Sequence, residues 1–558
     1  MAFKPHHSMV RCPENCNHRA LFKAVGYSDH DLEKPMIGIA NSWNEIVPGH
    51  FNLRQVAEFV KRGIYSAGGT AVEFGTIAAC DGIAQGDGMF AILPTREVIA
   101  NSIELMVRAH NLDAIVLLGS CDKIIPGMLM AAARLDIPAI VLPGGPMQGG
   151  AVLDNRPSDS TSMSEAVGMM KVGKLREEDL YTYENSCVPT CGSCSFYGTA
   201  NTMCCTAEAM GIVPSGGAAI PAYHMDRLRM AEHTGERIVQ LVKDHITARQ
   251  ILTLDAIENG VIFVNATGGS TNAILHLSAL AYELGIPTEK VMDLFEKHGK
   301  TVPQVVKINP ASAYNMEDLF YSGGVPQVLK ELRPILNQTC MTVDGKTIGD
   351  LTKDLSNCRT VNRRVIKTIA DPFSVGNGLA ILRGNLAPDG CVTKPAAIKE
   401  EMRTFTGTAR VFDSEDSAIE AILGGNIQAG DVLVIRYEGP KGGPGMREMC
   451  NAMKYLYGLG LGTSTAIITD GRFSGTNNGC FVGHISPEAA ENGPIAAVQE
   501  NDRITIDIPN RVITLHVEQE EIQERLKTVK RPAPRFTHGY LAMYSKSASS
   551  ASEGAVLK

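Results

Sequence analysis

Between about residues 35 and 145, short apolar runs alternate with longer stretches whose apolar residues recur at helical spacing. The runs at 36–40, 114–118 (AIVLL) and 137–145 (IPAIVLPGG) predict buried strands, and 53–66 and 96–110 predict helices. Uninterrupted apolar strands separated by helices predict a parallel sheet covered on both faces. Beyond about residue 375 the pattern changes. GDVLVIRYEG (430–439), STAIITDG (464–471) and RITIDIPNRVITLHV (503–517) predict strands, and the last reads as a hairpin turning at Pro509-Asn510. A smaller β-rich C-terminal domain is therefore expected, with a boundary within 365–390. The expected domains are residues 1–375 and 376–558. The tail SKSASSASEG (545–554) predicts disorder on composition.

With 558 residues the chain exceeds one core of ordinary size, in keeping with two or three domains. Hydrophobic residues make up 44% and charged residues 20%, a balance that supports a packed globular chain and argues against disorder. The formal net charge of -8 speaks against a nucleic-acid partner, which needs a dense basic face. No run approaches the ~18 apolar residues of a membrane helix, and the first residues lack the apolar stretch of a secretory signal. A cytoplasmic protein is the expectation. In a reducing compartment the 14 cysteines read as metal or cluster ligands where they gather. Where they stand singly, at Cys340, Cys358, Cys391 and Cys450, they read as small core residues.

Several motifs carry candidate chemistry. Ser120-Cys121-Asp122-Lys123 follows the AIVLL strand directly, at the carboxyl end where open α/β sheets gather functional groups. It offers a soft ligand, a hard ligand and a titratable amine; the plain alternative is a turn with one buried thiol. Cys187-Val188-Pro189-Thr190-Cys191-Gly192-Ser193-Cys194 places thiols around a glycine that lets the backbone wrap closely. A zinc knot would need paired ligands, and no second CxxC or HxxxH follows nearby. Cys204 and Cys205 fall in a helical stretch and read as core. Cys80 precedes DGIAQGDG (81–88), where Asp81 could ligate a hard divalent ion or simply mark a turn. The glycine loop 439–445 lacks the order of an ATP-binding loop; it could present free N–H groups to an anion, with Glu448 in the first turn of a following helix. Asn265–Asn272 (NATGGSTN) could cap a helix or cradle an anion. TDGRFSG (469–475) contains Ser474, but G-x-S-x-G spacing is absent and His484 is remote, so a hydrolase triad is not expected. Cys12, Cys16 and His18 have loose metal-like spacing and are expected to be mere terminal residues.

Together these segments resemble the dihydroxy-acid dehydratase and 6-phosphogluconate dehydratase family. The resemblance runs through NSWNEIVPGH, CDKIIPGMLMAAARL, PTCGSCSFYGTANTM, NATGGSTNAILHL, GPKGGPGMREM and TDGRFSG…VGHISPEA, in the family's order over essentially the whole chain. Even the Ser/Ala tail is similar to the family's ending. The resemblance implies an α/β N-terminal domain that binds an iron–sulfur cluster and a C-terminal β-barrel similar to the swivelling domain of aconitase. It implies a homodimer or dimer of dimers, a small-molecule substrate, and neither nucleic acid nor membrane as partner. By motif, Cys121 and Cys194 correspond to cluster ligands, and Asp81, Asp122 and Glu448 to Mg²⁺ ligands. Lys123 corresponds to a lysine carried as a carbamate, and Ser474 to the base that takes the C2 proton. Members with a three-cysteine [2Fe–2S] cluster carry their first cysteine in a segment matching 46–52, where this chain has Val47-Pro48-Gly49-His50. The cluster is thus [2Fe–2S] or [4Fe–4S]. Cys191 is the expected third ligand, because CxxC sets two thiolates on one turn, and Cys80 is the alternative. The implied reaction is dehydration of 2,3-dihydroxy-3-methyl carboxylates to 2-keto acids in valine and isoleucine synthesis. The alternatives are the same chemistry on a sugar acid (an aldonate or 6-phosphogluconate), and a non-catalytic iron–sulfur sensor or electron carrier.

Overall fold

A computed structural model describes residues 12–153, 156–171, 173–353, 360–473 and 479–558. Ser474 and Cys358 lie outside the described residues. Four strands, β1 (Met36–Asn41), β2 (Thr70–Gly75), β3 (Ala114–Gly119) and β4 (Ala139–Pro143), form a parallel sheet in the order β2-β1-β3-β4. Strands β1, β3 and β4 are buried throughout, as their unbroken apolar runs predict. Edge strand β2 is buried at its first two residues and alternates between half-buried and exposed positions after them.

Helix α1 (Leu53–Ser66) buries Leu53, Val56, Ala57, Val60 and Ile64, a stripe at helical spacing. Helix α2 runs Met89–His110, seven residues longer at its start than the periodicity predicts. Pro94, inside it, reads in sequence as a breaker. It sits in the second turn, close enough to the helix start for the ladder to absorb it, so α2 begins directly at the end of the 81–88 loop. Helix α3 (Ile124–Leu135) follows β3 after only four residues and is buried almost all round. Beyond the sheet, α4 (Thr199–Ala209), α5 (Met225–Asp244), α6 (Leu254–Thr267) and α7 (Asn272–Leu284) complete one large apolar core. Helices α1 and α5 cross so closely that a Cβ at Gly235 would lie 2.2 Å from Val60 O.

Eight further strands close into a barrel. Strands β5 (Ala380–Gly384), β6 (Ala387–Thr393), β7 (Thr404–Phe412), β8 (Asp431–Ile435), β9 (Ala466–Thr469), β10 (Cys480–Ser486), β11 (Arg503–Asp507) and β12 (Val512–Leu515) take the order β6-β10-β9-β8-β7-β11-β12-β5 and return to β6. The expected hairpin is β11–β12, paired antiparallel from Ile504↔Leu515 to Asp507↔Val512. Side-chain alternation explains why β8 is apolar at every second and intervening position. Val432 and Val434 fill the barrel, whereas Leu433 and Ile435 join an outer layer with Ala452, Met453 and Leu456 of α8 (Cys450–Gly458).

The tail is ordered, against the expectation from its composition. Helix α9 (Gly539–Ser547) and a short 3-10 turn at Ala551–Glu553 return to the first core, where Ala548, Ala551, Ala555 and Val556 are buried. Buried Arg96 of α2 donates to Gly554 O (2.8 Å) and Ala555 O (2.9 Å), and Tyr544 Oη donates to Ala555 O. Small residues are what this docking requires, since a Cβ at Gly554 would lie 2.5 Å from Ala279 N of α7.

Candidate active site

The loops at the carboxyl ends of the parallel strands converge. Leaving β3, Ser120 and Cys121 are held by His50: its Nε2 accepts their N–H groups at 3.1 and 3.3 Å, while Nδ1–H donates to Ser42 O at 2.8 Å. Burial pushes the His50 pKa down to about 4, so the ring is neutral and its tautomer is set by that carbonyl. Ser120 Oγ in turn accepts from Gly144 N at 2.8 Å, joining the β3 and β4 loops. The Cys194 loop is fastened to the same place. Gly192 N–H donates to Pro48 O and Ser193 N–H to Gly145 O, each at 2.9 Å, and Asn201 Nδ2 donates to Cys194 O at 2.5 Å. Gly192, at φ +134°, makes this approach possible; a Cβ there would stand 2.3 Å from Met147 N.

Three thiols share this space. Burial raises Cys121 and Cys194 well above the ordinary thiol range; each is raised further by the other thiols and carboxylates around it, Cys80, Asp81 and Asp122 among them. Cys80 is likewise raised by burial, against which Ile83 and Gly82 N–H groups act by donating to it. Cys191 is half-buried and raised by desolvation, with no charged or thiol neighbour acting on it. Cys204, Cys205, Cys340 and Cys391 are buried singly or in helices, as expected of core residues, and Cys204 Sγ donates to Ser120 O. Cys12, Cys16 and His18 are exposed and belong to no metal-capable group among the described residues.

Beside the thiols, one carboxylate oxygen from each of Asp81, Asp122 and Glu448 falls within 4.8 Å of the others. Lys123 Nζ lies 2.6 Å from Asp81 Oδ2 and 3.9 Å from Asp122 Oδ2. Arg472 Nη1 lies 2.6 Å from Glu448 Oε1, and its Nη2 is 3.7 Å from Asp81 Oδ2. Three acids against two cations leave an excess of negative charge. Desolvation, and then the Asp81 carboxylate, push Asp122 up to about 7. Asp81 Oδ1, Asn272 Oδ1 and Arg472 Nη2 are buried without a hydrogen-bond partner. Buried acceptors around uncompensated charge are the environment a divalent cation with oxygen ligands fits.

Glu448 reaches this cluster differently from the sequence expectation. Helix α8 starts at Cys450, so Glu448 precedes it and is positioned by a backbone bridge to Arg472, with Arg472 N–H on Arg447 O and Met449 N–H on Arg472 O. The glycine loop before it offers no anion cradle at its first turn, because Glu488 accepts the N–H groups of Lys441 and Gly442, each at 2.8 Å. The 265–272 segment joins the two halves: Asn272 Nδ2 donates to Glu448 Oε1 (2.8 Å) and Thr271 Oγ1 to Phe473 O (2.7 Å). His484, remote in sequence, donates its backbone N–H to Gly471 O at 2.8 Å. Sequence reasoning passed over His50, Asn272 and Arg472. Each stood inside a quoted motif, but only the folded contacts show which side chain turns toward the cluster.

Comparison with known proteins agrees with this arrangement. Residues 34–351 match the family description Dihydroxy-acid/6-phosphogluconate dehydratase N-terminal, and residues 364–555 match its C-terminal counterpart. The chain is 52% identical over 550 residues to a dihydroxy-acid dehydratase of Caldanaerobacter subterraneus subsp. tengcongensis, covering 98% of each chain. It is 49% identical to one of Acetivibrio thermocellus, again over 98% of each, and 47% identical to one of Carboxydothermus hydrogenoformans over 99% of each.

Proposed function

We propose that this chain, which belongs to the dihydroxy-acid/6-phosphogluconate dehydratase family, is a hydro-lyase that converts 2,3-dihydroxy-3-methyl carboxylates to 2-keto acids in branched-chain amino-acid synthesis. The observation that carries the reading is the buried meeting of Asp81, Asp122 and Glu448 with Lys123 and Arg472, next to the Cys121 and Cys194 thiols. Relatives about 50% identical over their whole length bear the name dihydroxy-acid dehydratase, which supports the substrate class.

In this reading Cys121 and Cys194 hold an iron–sulfur cluster, and Asp81, Asp122 and Glu448 hold Mg²⁺, with Lys123 carbamylated as its family counterpart is. When bound, these groups supply Lewis-acid polarisation of the departing C3 hydroxyl and of the substrate carboxylate and C2 hydroxyl. The chain's own residues do the rest. Ser474 takes the C2 proton, an assignment that rests on the family motif. Arg472 holds Glu448 in place through Nη1 and keeps Nη2 available beside Asp81. His50, neutral and bonded on both ring nitrogens, keeps the Ser120–Cys121 turn fixed. Loss of the C2 proton and the C3 hydroxyl leaves an enol that tautomerises to the keto acid. The same reading takes the two domains as 1–375 and 376–558 and the assembly as a homodimer or dimer of dimers, which light scattering would check. Among the described residues no helix is long and apolar enough to cross a membrane.

The test is turnover by anaerobically purified, cluster-loaded protein on a substrate panel. Keto-acid release from 2,3-dihydroxyisovalerate well above that from gluconate or 6-phosphogluconate is expected. A preference for either sugar acid would move the protein to the other branch, and a cluster without turnover on any of them would favour a sensor or electron carrier.

A further inference from the structure

We propose that Cys80, together with Cys121 and Cys194, supplies the third thiolate of the iron–sulfur cluster, and that Cys191 stands outside it. This rests on the cluster reading above and goes beyond it by assigning a ligand that the family's three-cysteine pattern does not place here.

Four observations carry it. The first is topological. Strands β2 and β3 both flank β1, and the loops that follow them carry the same dipeptide, Cys80-Asp81 and Cys121-Asp122. The two aspartates converge with Glu448 within 4.8 Å, so the Cα of each cysteine lies about 3.8 Å from the Cα of an aspartate that belongs to that centre. The second is local. The turn after Cys80 folds back on its sulfur, with Ala84 N–H on Cys80 O at 3.0 Å, the Gly82 and Ile83 N–H groups donating to Sγ, and a Gly82 Cβ position only 3.8 Å away. Backbone N–H groups aimed at a sulfur are the outer support that cluster thiolates use.

The third observation closes off the segment that would otherwise supply the ligand. Gly49 lies in the segment, 46–52, where the three-cysteine members carry theirs, and a Cβ at this position would already be 2.9 Å from Cys121 Sγ and 3.4 Å from Ser193 N. The chain is packed there without a side chain. The fourth separates the two remaining candidates. Cys191 is half-buried and immediately precedes Gly192, whose φ of +134° turns the chain and whose N–H is tied to Pro48 O at 2.9 Å, whereas Cys80 is bonded directly to an aspartate of the acid centre.

The experiment uses the anaerobically purified holoprotein and its Cys80→Ser, Cys121→Ser, Cys194→Ser and Cys191→Ser variants, read by iron and sulfide content and by Mössbauer and EPR spectra. Cys80→Ser is expected to lose cluster iron or change its spectrum as Cys121→Ser and Cys194→Ser do, while Cys191→Ser keeps the wild-type spectrum and content. Circular dichroism separates ligand loss from misfolding. Alkylation of the unmutated protein, mapped by mass spectrometry, gives a readout independent of any variant: iodoacetamide should label Cys191 before the cluster is stripped, and Cys80 only afterwards. A wild-type cluster in Cys80→Ser, or protection of Cys191 instead of Cys80, overturns the assignment. Wild-type clusters in Cys121→Ser and Cys194→Ser would sink the underlying cluster reading instead, so the two failures are told apart.

Discussion

The parallel sheet and the barrel both contribute to one polar centre, but they place their groups by different means. The sheet presents Asp81, Asp122 and Lys123 on the loops that follow β2 and β3, where parallel topology alone aims loops at a common edge. The barrel has no such edge. Its Glu448 and Arg472 come from two segments that pair with each other through the backbone and then through a 2.6 Å ion pair, and only as a pair do they reach Asp81 and Asn272. Sheet donors are therefore positioned by the fold at large, and barrel donors by a local backbone pairing reinforced by a buried ion pair and by Asn272. The former should tolerate loss of a partner and the latter should not.

Changes on the two sides test this difference. The largest effect is expected from Glu448→Gln, which removes the barrel's carboxylate from the three-acid centre. Turnover should fall roughly 10³-fold or more, comparable to Asp122→Asn on the sheet side, with circular dichroism unchanged. Activity above a tenth of wild type, roughly 1.4 kcal/mol of barrier, would make the barrel a scaffold rather than a contributor. Next comes Arg472→Met, measured by urea unfolding. It removes the cation paired with buried Glu448, leaving Asn272 Nδ2 as a neutral donor to the same carboxylate, and should cost about 3–5 kcal/mol of stability. If the loss is no greater than for a surface ion pair, the barrel pair is not what positions Glu448.

The pH dependence of stability sharpens the same contrast. His484 on β10 is buried and neutral, its pKa pushed down to about 3 by desolvation and by Arg472. In the unfolded chain the ring takes up a proton near pH 6.5. Between about 6.5 and 3 the unfolded state binds more protons, so stability falls as pH falls through that window. His484→Asn keeps a residue that tolerates the left-handed φ of 59° at this position and removes the titration. Between pH 7 and pH 5 the variant should lose about 2 kcal/mol less than the wild type in urea midpoints converted at fixed m. Equal losses would show the imidazole to be solvated. The smallest effect is expected from Gly554→Ala in the tail. The new Cβ meets Ala279 N at 2.5 Å at a φ of +90°, for a cost of about 1–3 kcal/mol in thermal or urea unfolding. A neutral result would mean that the tail's docking on α7 is not tight.

Much of the scaffold could be read from the chain because its signals are local. Unbroken apolar runs marked β1, β3 and β4, helical spacing marked α1 to its last residue, and the Pro-Asn turn marked β11–β12. The errors fell where local signals compete with tertiary contacts. Pro94 hid the start of α2, and a Ser/Ala-rich composition hid a tail held by Arg96 and Tyr544 from outside it. A glycine loop suggested an anion site that Glu488 already fills.

The sequence by itself determined which residue types were available, in what order, and that thiols and acids follow strands; these depend on neighbours along the chain and on the family pattern. Which of those groups meet is a matter of distance between loops hundreds of residues apart, and only the tertiary structure decided it. It brought Glu448 and Arg472 to Asp81, set a neutral His50 behind Cys121, and fastened the Gly192 turn against Pro48 and Met147. Side-chain charge and hydrogen bonding act through space over a few ångströms, whereas the patterns a sequence displays act along the chain. The cluster's third ligand is where those two kinds of information part.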